Sequence, residues 1–318
     1  MKQEIIRACT RHDWLANSLV RVCDSCSVLS EGFYNRPLKL PITQDRTVCL
    51  EIHKRGAVFK YQKLFSSPGF ISALDGNVPG IENGIIFNGD NNYWHYLILG
   101  LGTVRHVAEE FANFYVDAEI SADKIDFLRK FLARAGYRTM PNIVPLDADN
   151  YRVRNCAFFF FGDHTERPRW IRKTLGISGG GPGKRIFVER SPSSVRQMVN
   201  SGRIFSLLRD EFGFEAIDPG RFTVEEQQHL FADAAVVVGA HGAGLANSVF
   251  SGNLQLLGEF YSEILQPFCR TLARSIGASY FSIEGQRVSD YPSGDWRGAN
   301  ADFLVDENAV LQTLRRYL

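Results

Sequence analysis

Residues 235–245, AVVVGAHGAGL, run from an apolar strand through three glycines, and no other segment of the chain is better suited to hold an anion. Glycine lets backbone N–H groups approach a ligand closely, and a following helix N-terminus adds about half a positive charge. Turns of this kind bind ligands at the carboxyl edge of a parallel sheet. The amides of Gly242, Ala243, Gly244 and Leu245 are the candidate donors. The spacing is not G-x-G-x-x-G and no Lys-Ser/Thr follows, so neither the dinucleotide fingerprint nor a P-loop fits. A tight turn with no ligand is the plainer alternative. His241, inside the turn, can donate to a phosphate oxygen or a sugar hydroxyl, or it can be a satisfied structural histidine. Arg190 stands where a strand over 185–189 should end, on the same edge as His241. Its fixed fork can hold a diphosphate bidentately and neutralise a nucleoside diphosphate as it leaves. A solvated strand-end arginine is the competing reading, and Arg196 and Arg203 read as helix-surface charges.

A second cluster lies at Asn91-Asn92-Tyr93-Trp94-His95-Tyr96. Aromatic faces stack on sugars, and a histidine is the side chain most easily tuned to take a proton near neutral pH. A packed helix start with a hydrogen-bonded core histidine explains the same residues equally well. Asp147-Ala148-Asp149 follows an apolar strand and has the form of a divalent-metal site for a diphosphate, but it opens a polar turn and reads better as a loop. Asp163-His164 and Glu166 are further acid–base groups. Cys23 and Cys26 have the two-residue gap of a zinc knuckle or a redox dithiol; without a second such pair, small thiols beside a turn are the better reading. Cys9 and Cys49 are the other early cysteines, and zinc among the four stays an open alternative.

The elements that must position these groups differ between the two halves. The first eighty residues alternate short apolar runs with turn residues and predict several short strands. Helical spacing starts near Tyr93 and is broken at Gly100 and Gly102; residues 121–135 predict a helix that Gly136 stops. Residues 176–183 hold five glycines and a proline, which predicts a loop and the best candidate hinge. Beyond it the order is regular: strand 185–189, helix 193–212, strand 214–217, helix 223–232 with a Thr223/Glu226 capping box, strand 234–238, the glycine turn and a helix through Phe250, strand 254–260, helix 263–276 and strand 279–283. Such alternation means βαβ units and a doubly wound parallel sheet. The division expected is 1–175, 184–300 and a terminal helix within 301–318, for which packing back on the first domain is one option.

The chain has 318 residues, 45% hydrophobic and 22% charged, a soluble globular composition long enough for two domains. Its 36 basic and 35 acidic side chains leave a net charge of +1, which disfavours nucleic acid as a partner. Residues 1–7 lack the apolar core of a signal peptide, and no uncharged apolar run reaches about 18 residues. The expected location is therefore cytoplasmic, with reduced cysteines and peripheral membrane association as one option.

Residues 92–96 (NYWHY), 167–172 (RPRWIR), 184–190 (KRIFVER) and the stretch from Glu226 through GAHGAGLAN, in that order, resemble glycosyltransferase family 61. The resemblance spans about 83–285, and GAHGAGL after an apolar strand is its most specific part. It implies a GT-B fold: two Rossmann-like domains across a cleft, with the donor nucleotide mainly on the second. It also implies inverting transfer without an essential metal or other cofactor. Arg190 and His241 match family positions expected near the donor, and Lys184 and Glu226, which open matching segments, are grouped with them. His95 matches a position on the acceptor side, beside Asn92, Tyr93 and Trp94, with Asp90 and Asp163 as alternative bases. Two departures stand out: Trp94 precedes the histidine where the family has Trp after it, and residues 100–103 lack the family's acidic residue and proline. The expected partners are a nucleotide sugar, of the UDP class, and a glycan or glycolipid acceptor in bacterial surface polysaccharide synthesis. A metal-dependent transferase using Asp147 and Asp149, and a nucleotide-sugar-binding protein without catalysis, are the alternatives.

Overall fold

The structure, a computed structural model, describes residues 7–9, 19–23, 26–37, 39–44, 47–49, 76–87, 89–104, 111–159, 165–179, 181, 183–191, 195–262, 266–288 and 301–318. The chain divides into two compact units, Met1–Asp163 and His164–Leu318. Both are α/β.

In the first unit the described strands are β1 (Arg7–Cys9), β2 (Leu19–Cys23), β3 (Cys26–Asn35), β4 (Leu40–Thr43), β5 (Thr47–Cys49), β6 (Gly80–Ile86), β7 (Asn113–Asp117), β8 (Asn142–Leu146) and β9 (Asn150–Phe159). They form one mixed sheet, ordered β1-β5-β4-β3-β9-β6-β7-β8, with β2 paired to β3. Parallel pairing runs through β9-β6-β7-β8, while β3 meets β9 and β4 antiparallel. Only part of this unit therefore has the parallel character expected of it. A wide π-helical turn, His95–Leu101, follows β6, and helix α1 (Ala122–Arg134) follows β7. In α1, Phe127, Leu128, Phe131 and Leu132 recur at helical spacing and are buried, and the helix stops before Gly136 as its sequence demands. Leu29, Tyr34, Ile81, Tyr115, Tyr151 and Phe158 fill the core on one side of the sheet.

The second unit starts with α2 (Glu166–Leu175), then β10 (Lys184–Val188), α3 (Ser201–Phe212), β11 (Glu215–Ile217), α4 (Val224–Phe231), β12 (Ala234–Ala240), a 3-10 helix (Ala243–Phe250), β13 (Leu256–Tyr261), α5 (Phe268–Ile276), β14 (Ser279–Glu284), β15 (Gln286–Arg287), β16 (Phe303–Leu304) and α6 (Glu307–Tyr317). The described sheet runs β11-β10-β12-β13-β14, every neighbour parallel. Every residue of β12 is buried, as a central strand covered on both faces requires. Phe187, Leu208, Val236, Phe260, Val310 and Leu314 belong to one core, so β10, α3, β12, β13 and α6 close on each other.

Three boundaries differ from the sequence expectation. Helix α2 was expected with the first domain, but it packs on α5 and the 3-10 helix, and Arg172 donates to the Ser251 carbonyl. The glycine-rich stretch 176–183 consequently lies inside the second unit, joining α2 to β10; Gly176, at φ 68°, ends α2 in the left-handed conformation. The terminal helix belongs to the second unit: α6 packs on α3, where Arg315 pairs with Glu211. The third concerns α3, expected from residue 193 and beginning at Ser201. Hydrogen bonds to residues 302–303 hold 197–199 out of the helix: Gln197 N–H donates to Asp302 Oδ1 at 2.7 Å, and Val199 N–H to the Phe303 carbonyl at 2.8 Å. Tertiary pairing overrides the helical pattern there.

Candidate active-site residues

In a parallel sheet ordered 2-1-3-4-5, the chain leaves the first strand towards one edge and the third towards the other. Ligands bind in the crevice this leaves at the carboxyl ends of those two strands. Here the two strands are β10 and β12, in register at Val188 and Gly239. Arg190 follows β10 and His241 follows β12, and Arg190 Nη1 donates to the His241 carbonyl at 2.7 Å. Burial first, and then the charge of Arg196, pull the Arg190 guanidinium down to about 10, which still leaves it a cation at neutral pH.

The His241 ring is fixed from behind. Its Nδ1 meets Glu259 Oε1 in a short contact, and Glu259 on β13 is fully buried. Glu259 Oε2 accepts from the Tyr280 hydroxyl on β14 at 2.6 Å. Cys269 on α5 reaches the same carboxylate. Burial, and then Glu259, push the Tyr280 hydroxyl and the Cys269 thiol up, so both stay protonated donors at neutral pH. A buried carboxylate is tolerated only when its lone pairs are satisfied, and this set satisfies them. A carboxylate on Nδ1 selects the tautomer with its proton there, which leaves Nε2 for a ligand.

Gly242 carries the next requirement. A β-carbon there would lie 2.1 Å from Arg190 Nη1, so any side chain must displace the guanidinium. Gly242→Ala is expected to weaken nucleoside diphosphate binding about tenfold while shifting the melting temperature little, because the group displaced is the far end of one side chain. Titration calorimetry beside a melting curve checks this, and unchanged affinity would show that Arg190 is not held in place for a ligand. Among the expected amides, Leu245 N–H instead closes the first turn onto the Gly242 carbonyl at 3.2 Å and its side chain is buried, leaving those of Gly242, Ala243 and Gly244.

Two residues grouped with the donor lie elsewhere. Lys184 opens β10, at the opposite edge of the sheet from Arg190. Six residues of extended chain separate the two by about 20 Å. Glu226 completes a capping box at the start of α4, where Oε2 accepts from Thr223 N–H and Oγ1, both at 2.8 Å. Two others were missed or misread. Glu259 is an isolated acid in an apolar strand and gave no sign of partners. Arg196, read as a helix-surface charge, precedes α3 with φ 62° and interacts with Glu259; Arg203 is the exposed one, pairing with Glu307.

In the first unit His95 begins the π-helical turn, a feature that recurs frequently at functional sites. Its Nδ1 lies 2.9 Å from Asp90 Oδ2, and Lys39 Nζ pairs with the same oxygen. Asp90 Oδ1 accepts from Asn92 N–H at 2.8 Å, and Asn92 Oδ1 accepts from Trp94 N–H at 3.0 Å. Lys124 Nζ donates at 2.8 Å to the Asn91 carbonyl and side chain, tying the loop to α1. Burial alone raises the Asp90 carboxyl; the His95 hydrogen bond and the Lys39 charge outweigh it and hold Asp90 well below the usual carboxylate range. Arg36, Lys39, Asp90, Asn92, His95 and Asp117 line a pocket of about 390 Å³.

Trp94 and Tyr96 of this cluster are packed inside the first unit. Trp94 is 7% exposed and Tyr96 fully buried, with its hydroxyl donating to the Lys124 carbonyl at 2.6 Å, so neither offers a face for a sugar. Tyr93 is half-buried and Asn92 exposed. Asp147 accepts from the Tyr151 hydroxyl at 3.1 Å and Asp149 stands 3.6 Å from Arg36, partners that suit a turn better than a cation site. Asp163 and His164 lie outside the described residues, as do the side chains of Cys9, Cys23, Cys26 and Cys49. No described helix is long and apolar enough to cross a membrane.

A family model described as Glycosyltransferase 61 matches residues 93–254, half of the chain, and that stretch contains His95, Arg190 and His241. No curated protein matches the chain. On the breadth of that match, the chain belongs to the glycosyltransferase 61 family and is a glycosyltransferase.

Proposed function

We propose that this enzyme transfers a sugar from a nucleoside-diphosphate donor, of the UDP class, to a hydroxyl of a growing glycan or glycolipid, with inversion at the anomeric carbon and no essential metal. The setting we propose is surface polysaccharide assembly in the bacterial cytoplasm, with the two units as the halves of a GT-B enzyme. The observation that supports the donor half is the meeting of Arg190, His241 and the Gly242 backbone at the carboxyl ends of β10 and β12. His95, oriented by Asp90, supplies the base for the acceptor half.

The step balances with these groups alone. The acceptor O–H gives its proton to His95 Nε2, and the oxygen attacks the anomeric carbon from the face opposite the leaving group. The bond from that carbon to the β-phosphate oxygen breaks, and the nucleoside diphosphate departs with the electron pair. Arg190 and the backbone amides of Gly242, Ala243 and Gly244 oppose the charge that develops on it, and His241 Nε2 accepts from a hydroxyl of the donor.

A thermal-shift panel of UDP, GDP, CMP and their sugars, run in EDTA, tests the reading. One nucleotide class is expected to raise the melting temperature by several degrees, which needs a concentration of about a hundred times Kd. Arg190→Ala is expected to remove that shift. A shift that EDTA abolishes and Mn²⁺ restores would return Asp147 and Asp149 to the mechanism; no shift with any nucleotide would sink the donor site.

A further inference from the structure

The segment after β10 carries a second guanidinium that the proposed donor site leaves unassigned. Gln197 Nε2 donates to the Ser191 carbonyl at 2.9 Å and so holds Ser191 and Gln197 side by side. Arg190 and Arg196 each directly precede one partner of that bond, so both stand beside it; the charge of Arg196 acts on Arg190, and that of Glu259, behind His241, acts on Arg196. Arg196 is held at φ 62°, a left-handed conformation that a long side chain adopts only when its neighbours impose it. The neighbours are identifiable: Gln197 N–H is bound to Asp302, and the Gln197 carbonyl accepts from Phe303 N–H at 2.9 Å.

Arg196 Nε is buried and has no hydrogen-bond partner among the described residues. A buried donor left unsatisfied costs about 1–3 kcal/mol, and two neighbouring guanidiniums repel each other. Glu259 offers limited relief, because His241 and Tyr280 already occupy its two oxygens. An anion with several oxygens would satisfy the Nε–H and remove the repulsion together.

We propose that Arg190 and Arg196 form a two-guanidinium clamp on the diphosphate of the donor, one fork for each phosphate. The clamp rests on the donor reading given above and extends it to the chemistry of the leaving group. Together the two forks supply the charge of one divalent cation. Their hold strengthens as the departing diphosphate gains negative charge, which favours the transition state over the bound donor. A site built this way selects diphosphate over monophosphate whatever base the nucleotide carries.

Inorganic pyrophosphate and orthophosphate, titrated in EDTA, probe the clamp without a choice of nucleotide. The wild-type chain is expected to bind pyrophosphate about 30-fold or more tightly than orthophosphate. Arg196→Gln is expected to weaken pyrophosphate about tenfold or more and orthophosphate less than about threefold, the scale of one lost charge-assisted pair. Arg196→Lys keeps the charge but loses the fork; it is expected to fall between the two and serves where the glutamine variant folds poorly. Wild-type pyrophosphate affinity in both variants would overturn the clamp and leave the donor site standing. No pyrophosphate binding by the wild-type chain would overturn the donor site and the clamp with it.

Discussion

Replacing His95 with alanine is expected to lower turnover by about 10²–10⁴, the usual contribution of a positioned general base, with donor affinity unchanged. The affinity should hold because the proposed donor groups, Arg190 and His241, follow β10 and β12, and His95 is assigned no contact with the donor. Asp90→Asn should lose nearly as much. An asparagine amide facing Nδ1 donates to it and shifts the ring proton to Nε2, which is then no longer a base. The pair also fixes a pH dependence of stability. The native Asp90 carboxyl is held below its unfolded value of about 3.9, so its contribution is complete above that value and is lost as pH falls through the native one. Acid unfolding of Asp90→Asn should therefore begin at lower pH than that of the wild type, relative to each protein's own stability at neutral pH. Single-turnover rates with saturating donor decide the catalytic part. A His95→Ala enzyme within threefold of wild type would move the base elsewhere, with Asp163 the first alternative.

The second large effect is expected at Glu259. Removing one member of a buried, hydrogen-bonded charge set costs about 3–5 kcal/mol, because the partners stay behind without compensation. In Glu259→Ala these are the His241 ring, the Tyr280 hydroxyl and the already under-satisfied Arg196. Glu259→Gln keeps the volume but removes the charge and frees the His241 ring to change tautomer. It is expected to lose less stability and still to bind nucleoside diphosphate more than tenfold more weakly. The split separates positioning from packing: a purely structural Glu259 would lower the urea midpoint in both variants and leave the affinity of the folded glutamine variant intact.

The second unit was legible in the sequence because its strands are local apolar runs punctuated by glycine. Strand β10 was expected at 185–189 and spans Lys184–Val188; β14 was expected at 279–283 and spans Ser279–Glu284. Arg190 and His241 could be placed together because both close strands of one parallel sheet. What stayed hidden depends on partners far along the chain. Glu259 meets its partners from three other elements, and nothing in Leu-Leu-Gly-Glu-Phe says whether that acid faces water or a histidine. Arg196 was misplaced because residues 302–303 straighten the chain before α3, a pairing more than a hundred residues away in sequence. In the first unit, His95 and Asp90 are five residues apart and could be named together, but Lys39, which completes the ion pair, comes from before β4.

The position of α6 has a consequence for synthesis. Val310 and Leu314 lie in the same core as Phe187 of β10, and Phe303 holds the strand that aligns Arg196. As the polypeptide emerges from its N-terminal end, every strand of the parallel sheet is made before the helix that covers it. Until residues 303–314 follow, Phe187 and Leu208 lack core neighbours and residues 197–199, next to Arg196, lack their partners at 302–303. A nascent chain stopped short of α6 therefore presents a sticky, half-covered sheet to the chaperones that meet it. The proposed anion-holding geometry is in this sense acquired only once residues 303–314 are made, and deleting those residues is expected to remove it without touching a residue proposed to contact the ligand.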